Sequence, residues 1–225
     1  MIPMQIGDSI NTACPDFVVG QLECKVRNTP HNDDLWREID EVVSKLCETT
    51  AIAEIRKLPE IAATREAYKQ CGKDPNRYRP SAEALRRRIV KGQPLYRIST
   101  LVDIVNLLSL QSGCSIGAFD MDRIVGQLEW GIGKDGEPYE AIGRGALNIA
   151  GLPVLRDEAG PIGTPTSDQV RTRLSLESRS LLLNINAFAG PAILDSVFED
   201  SVRLLAEFVQ AREIRTSIVI RGSGR

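Results

Sequence analysis

Apolar and polar positions change period along the chain, and the clearest helical period runs from Ser99 to Ser112. Leu101, Ile104, Val105 and Leu108 fall at i, i+3, i+4 and i+7, one face of a helix. Val102, Leu107 and Leu110 widen that face, so the predicted helix is mostly buried. Thr100 is the predicted N-cap, with Asp103 reaching back as in a capping box. Gly113 is placed for a left-handed C-terminal cap. Cys114 to Phe119 then reads as a short buried strand that carries Asp120 to its end. Two polar residues interrupt the apolar helix. Asp103 reads as a tie to neighbouring loops, while Asn106 is open to a loop-fixing or a ligand-facing role.

Residues 4–27 predict two extended stretches, the clearer at Phe17 to Val26. Gln21, Glu23 and Lys25 alternate there with Leu22, Cys24 and Val26, which predicts one solvated face. A helix opens at Asp33 or Asp34 and runs to about Cys47. Ala51 to Lys57 and Glu60 to Gln70 read as helical pieces broken at Pro59, and Ala82 to Val90 as a helix ended by Gly92. The second half turns to strands. They are Val125 to Ile132 and Glu137 to Ile142 about a turn at Gly133–Gly136, then Leu152 to Arg156, Leu181 to Asn186 and Ile214 to Ile220. Gly160 to Asp168 is too rich in Gly and Pro to predict regular structure. Pro191 opens a last helix with a packing face of Leu194, Val197, Phe198, Leu205, Phe208 and Val209. Residues 221–225 read as a frayed tail. No repeat or linker divides the chain, so residues 1–225 are read as one compact α+β domain, mixed sheets flanked by helices.

Composition narrows the function. With 225 residues, 42% hydrophobic and 26% charged, the chain can bury a sizeable core. No apolar run approaches membrane-spanning length and no secretory leader is visible at Met1–Gln5, so a soluble cytoplasmic protein is expected. Cys14, Cys24, Cys47, Cys71 and Cys114 are scattered without a C-x-x-C, which argues against a disulfide framework and a zinc site. The single histidine, His31, lies in a polar loop and reads as an exposed spectator. Ser-His catalysis and a histidine-ligated metal are thereby disfavoured, and no cofactor is expected.

Charge is unevenly spread. The net charge of −2 argues against general affinity for nucleic acid. Between Lys73 and Arg97, however, eight basic residues stand against Asp74 and Glu83, a local charge of +6. Such a patch suits a phosphate backbone in one orientation, or is simply a solvated helix face with packed Arg stems.

The run V-D-I-V-N-L-L-S-L-Q-S-G-C-S-I-G-A-F-D-M-D-R-I, residues 102–124, resembles the editing domain in the beta chain of phenylalanyl-tRNA synthetase. It is closer still to free-standing proteins built from that domain, which carry R-P-S-x-E-A-L-x-R-R before the helix and S-D-x-x-R-T after it. Both are present, at Arg79 to Arg88 and at Ser167 to Thr172. The resemblance covers about residues 77–188. It implies the fold of that domain, and as partners a tRNA or aminoacyl-tRNA 3′ end and an amino-acid-like small ligand, with neither DNA nor a membrane. Two positions depart from the synthetase. Gly117 stands where it has a pocket histidine, and Asp168-Gln169-Val170 stands where it has Gly-Gly-Glu, whose glutamate recognises the tyrosine hydroxyl. A pocket without its hydroxyl partner cannot discriminate by hydrogen bonding.

The resulting expectation is a tRNA-binding, editing-like protein that hydrolyses a mischarged aminoacyl ester in trans. The alternatives are a non-catalytic module that binds tRNA or an amino acid in the same pocket, and a structural domain with the pocket filled. The candidate catalytic residues are Asn106, Asp120, Ser167 and Asp168. Arg79, Ser81, Gly117, Arg171 and Thr172 are candidates for substrate binding, and Arg86, Arg87, Arg88 and Lys91 for RNA binding. Ser, Thr and Asp beside an Arg supply donors, acceptors and an anion clamp. The same loop also fits a helix N-cap with Arg171 paired to Asp168. An aminoacyl ester is activated, so orientation and charge stabilisation can drive its hydrolysis without a nucleophilic triad.

Overall fold

The computed structural model describes residues 1–222. Its elements, in order, are β1 (Met4–Ile6), α1 (Asp8–Ala13), β2 (Val18–Lys25), α2 (Asp33–Thr49), α3 (Pro59–Gln70), α4 (Ser81–Val90), α5 (Thr100–Ser112), β3 (Ser115–Asp120) and β4 (Leu128–Ile132). There follow β5 (Glu140–Ala141), β6 (Gly145–Ala146), β7 (Pro153–Asp157), β8 (Gly160–Gly163), β9 (Ser180–Ala187), α6 (Leu194–Val209) and β10 (Arg212–Val219). Arg221 and Gly222 form a turn, and the rest of the expected tail lies outside the described residues.

The architecture is α+β and turns on one antiparallel sheet, ordered β10-β2-β9-β3. Its strands β2, β9 and β3 are buried on both faces, while the edge strand β10 is largely exposed. Leu22, Leu181, Leu183 and Ile185 pack with α2, α5 and α6 into one core. Val19 and Leu182 point the other way, into a second core with Trp130, Leu155 and Ile162. That second core is closed by a mixed sheet, β1-β4-β7-β8, in which only β1 and β4 run parallel. Alternate side chains of a strand leave opposite faces, so β2 and β9 each feed both cores.

Several expectations change here. Gln21 and Glu23 are buried, not solvated. The N-terminal segment covers them: Gln21 Nε2 donates to Ile2 O at 2.9 Å, and Ile2 N donates to Glu23 Oε1 at 2.6 Å. Arg215 adds an ion pair to Glu23 at 3.1 Å. Polar alternation therefore marked an internal hydrogen-bonded face. The expected hairpin about Gly133–Gly136 is absent, because β4 pairs with β1 and β7. The glycine-rich stretch starting at Gly160 forms β8, which pairs with β7. Between the two extended stretches expected in residues 4–27, residues 8–13 form the helix α1. Pro59 starts α3, as its fixed φ permits. Residues 51–57 make only turns and a short 3₁₀ segment, Ile55–Lys57.

The central helix begins one residue from the expected cap, with Ser99 at the N-cap position. Asp103 does not close a capping box on Thr100. It accepts from Trp36 Nε1 at 2.8 Å and from Ile98 N at 3.3 Å, and burial raises its pKa. It thus ties α2 and the preceding loop to α5. Gly113 has φ of +79°, the left-handed conformation expected at this C-terminus.

Candidate functional site

A cavity of about 510 Å³ opens between α4, α5, the β3 edge and the segments 164–168 and 173–175. Leu85, Val102, Val105, Ile116, Ala118 and Leu174 make it largely apolar. A second recess of about 680 Å³ adjoins it and shares Ser81, Leu85, Ile98, Val102, Asn106, Ile142, Thr166 and Ser167 with it. The two parts differ in charge. Arg79, Arg87, Arg88, Lys91 and Arg144 line the outer recess, and among the described residues no acidic side chain does.

The segment Thr164–Asp168 is held by a dense set of bonds. Ser167 O accepts from Tyr139 Oη at 2.7 Å and from Thr164 Oγ1 at 3.0 Å. Thr164 Oγ1 accepts in turn from Thr166 N and Ser167 N. Thr166 Oγ1 meets the buried Tyr68 hydroxyl at 2.8 Å, and Pro165 O accepts from Ser81 N at 2.8 Å. Asp168 then bridges Gly163, and its carbonyl accepts from Ile142 N. This fixed turn sets the position of the Asp168 carboxyl.

That carboxyl sits between the two sheets. Its Oδ2 accepts from Ala118 N at 3.1 Å. Side chains built at Gly117 and Gly163 would bring a Cβ within 3.3 and 3.2 Å of its Oδ1. The space left by these glycines holds Asp168 and the ring of Phe119. Burial raises the Asp168 pKa to about 7, and the Ala118 bond only partly opposes this. A carboxyl group therefore does stand beside Gly117, supplied by Asp168.

The expected site residues divide. Ser81, Asn106, Ser167 and Asp168 line the inner cavity. Arg79, Arg87, Arg88 and Lys91 line the outer recess. Arg79 and Arg87 lie 3.4 and 3.9 Å from the buried Glu83, which also binds Arg65 at 2.8 Å. The remaining candidates lie elsewhere. Arg86 is 7% exposed, donates to Gln111 O, and has its pKa lowered by burial. It faces the protein, whereas Arg87, one helical step on, is half-buried and lines the recess. Asp120 is buried, accepts from Ser178 Oγ at 2.7 Å, and caps the turn at Asp122. Arg171 is paired to Asp157 at 2.7 Å, with Gln169 as the cap of its short turn, so it does not pair with Asp168. Thr172 is fully buried, and its hydroxyl has no hydrogen-bond partner among the described residues.

Residues not anticipated also line the recesses: Thr164, Thr166, Arg144, Tyr96 and Ile98. Tyr96 and Ile98 did carry a signal, since with Leu95 they make three large apolar residues in the short connection after the basic helix. All five cysteines are free thiols. Among the described residues no helix is long and apolar enough to cross a membrane.

The fold is α+β, two packed sheets flanked by helices, with a largely apolar cavity beside a recess lined by basic side chains. The chain belongs to the B3/4 domain family, whose model matches residues 63–222. Its fold is similar to that of an N-terminal fragment of the phenylalanyl-tRNA synthetase beta-subunit from Pyrococcus horikoshii. The TM-score is 0.50 at 11% identity, over 98% of this chain and 52% of that one. The chain therefore spans about half the length of that fragment. No curated protein matches it.

Proposed function

We propose that this protein binds the aminoacylated 3′ end of a tRNA across the two recesses and hydrolyses the ester of a mischarged amino acid. The observation that carries this is the Asp168 carboxyl, its pKa raised to about 7 in a largely apolar cavity that it shares with Arg173 and that adjoins a recess whose charged lining residues are basic. The aminoacyl group enters the inner cavity and the nucleotide phosphates meet Arg87, Arg88 and Lys91. Above pH 7 the Asp168 carboxylate accepts a proton from water. The water oxygen adds to the ester carbonyl, the bond to the ribose oxygen breaks, and that oxygen takes up a proton. Asn106 has no side-chain hydrogen bond among the described residues, which leaves its amide free to orient the ester. The family and the likeness to a synthetase fragment support this reading, and we propose that it acts in the cytosol.

The test is deacylation of a panel of mischarged tRNAs by the purified protein. Turnover on at least one member is expected. No turnover on any, beside an active control enzyme, removes the enzymatic reading. A non-catalytic binding module is the second reading. It is favoured by Asp120, which is fastened to Ser178 away from the cavity, so that few candidate catalytic groups converge. Binding of charged tRNA without turnover selects it. We also propose that residues 1–225 act as one domain, as the two cores sharing β2 and β9 suggest.

A further inference from the structure

The connection between α4 and α5 has no regular structure, yet it brings two large apolar side chains to the mouth of the outer recess. Tyr96 is 63% exposed and Ile98 60%. Single exposed apolar residues are ordinary, but Tyr96 is held in place. Its hydroxyl accepts from Arg88 Nη1 at 3.1 Å, and the Arg88 guanidinium carbon lies 4.0 Å from the ring centroid. Arg88 is itself anchored, since its Nε donates to Pro94 O at 2.5 Å. The cation covers one side of the ring, and the exposed area is what remains. A pre-positioned aromatic face costs little conformational freedom when a flat ligand lands on it.

We infer that Tyr96, backed by Arg88, is a stacking platform for a nucleobase at the single-stranded end of an RNA. This rests on the reading that the recess receives a tRNA end, and it adds the residue that positions that end. The surroundings favour a nucleotide. Lys91 and Arg144 line the same recess as Tyr96, are exposed, and have no carboxylate partner among the described residues. A flat apolar surface ringed by cations suits a base and its phosphates, because every base has a π-face and every phosphate a charge. Ile98 and Ile142, both exposed and both shared with the inner cavity, then pack the ribose edge. The stacked base holds the esterified ribose at the junction where Asn106 stands.

The experiment uses the full chain and a short single-stranded RNA ending in CCA, with 2-aminopurine replacing the terminal adenine. Stacking quenches 2-aminopurine fluorescence. Binding to the wild-type protein should quench it, and Tyr96→Phe should preserve the quench. Tyr96→Ala should abolish the quench and weaken binding about tenfold, with the salt dependence unchanged. A thermal melt of Tyr96→Ala that matches wild type confirms that the fold is intact. Unaltered quench and affinity in Tyr96→Ala overturn the inference. If the RNA binds with a salt dependence that needs Arg87 and Lys91 but shows no quench, the platform falls and the RNA reading stands. If the RNA does not bind at all, both fall. Binding of an acidic peptide, lost in Tyr96→Ala, with no RNA binding would make the patch a protein-docking surface and overturn the inference.

Discussion

The backbone N–H of Ala118 donates to Asp168 Oδ2 at 3.1 Å, and this bond fastens the edge of β3 to the residue that bridges Gly163. It joins the two sheets at the floor of the inner cavity. It is also too little to keep the carboxyl ionised, since burial still raises the pKa to about 7.

Stability should therefore depend on pH through Asp168. The folded carboxyl holds its proton to about pH 7, while the unfolded one releases it near its ordinary value of 3.8. The stabilisation is fully present below that lower value and is lost as pH rises through about 7. The slope is at most ~1.4 kcal/mol per pH unit for one proton. Asp168→Asn should flatten this part of the profile. Urea denaturation at a series of pH values measures it, and equal slopes in both proteins would refute the assignment.

Catalysis, if Asp168 is the base, should rise with pH through about 7, the opposite direction to stability. Asp168→Asn should lower kcat by roughly 10²–10⁴, the span of general-base contributions. Single-turnover deacylation across pH 5.5–8.5 reads this directly, the range being chosen to bracket about 7.

Gly117 and Phe119 are coupled by volume. A Cβ at Gly117 would lie 2.8 Å from the Phe119 ring, which is 1% exposed and has Gly163 on its other side. Gly117→Ala should cost about 1–3 kcal/mol. In a Phe119→Leu background the cost should shrink, since the neighbour has room to yield. A double-mutant cycle by chemical denaturation reports the coupling, and strict additivity would count against it.

Glu83 gathers Arg65, Arg79 and Arg87 while its own side chain is 2% exposed. Removing it leaves those guanidiniums facing each other without a counter-charge. Glu83→Ala should destabilise by about 1–3 kcal/mol, chiefly through the part-buried Arg65, since Arg79 and Arg87 reach solvent. A melting temperature equal to wild type would show that the arginines are satisfied by water.

Reversing charge on the outer recess tests the RNA reading most simply. Arg87→Glu with Lys91→Glu should weaken tRNA binding across all tRNA sequences. It should also flatten the slope of log affinity against log salt by about 0.7 per lost single-strand contact. Arg86→Gln should leave that slope unchanged, since Arg86 is buried. Filter binding at several salt concentrations separates the two.

How much of this could be read from the chain depends on which forces act locally. The period of Leu101, Ile104, Val105 and Leu108 and the glycine at position 113 define α5 almost to the residue. Arg86 and Arg87 could not be told apart, because a charge count is blind to the roughly 100° between successive helical residues. β8 escaped notice because Gly160 and Pro161 lack strand propensity; backbone pairing with β7 makes it a strand. Gln21 and Glu23 deceived for a similar reason, as their partners are at Ile2 and Arg215. Ser81, Asn106, Ser167 and Asp168 were nominated by the motifs and do meet at the cavity. Their antechamber, with Tyr96 and Arg144, needed the tertiary fold.

The pairing of β2 sets a condition on synthesis. Residues 18–25 lie between β9, at 180–187, and β10, at 212–219. β2 therefore waits until residues 212–219 have left the ribosome before both of its edges are satisfied. Until then Val19 and Leu22 belong to no finished core, and the nascent chain displays a sticky, unpaired edge. Such long-range closure predicts slow folding and a dependence on chaperone shelter during translation.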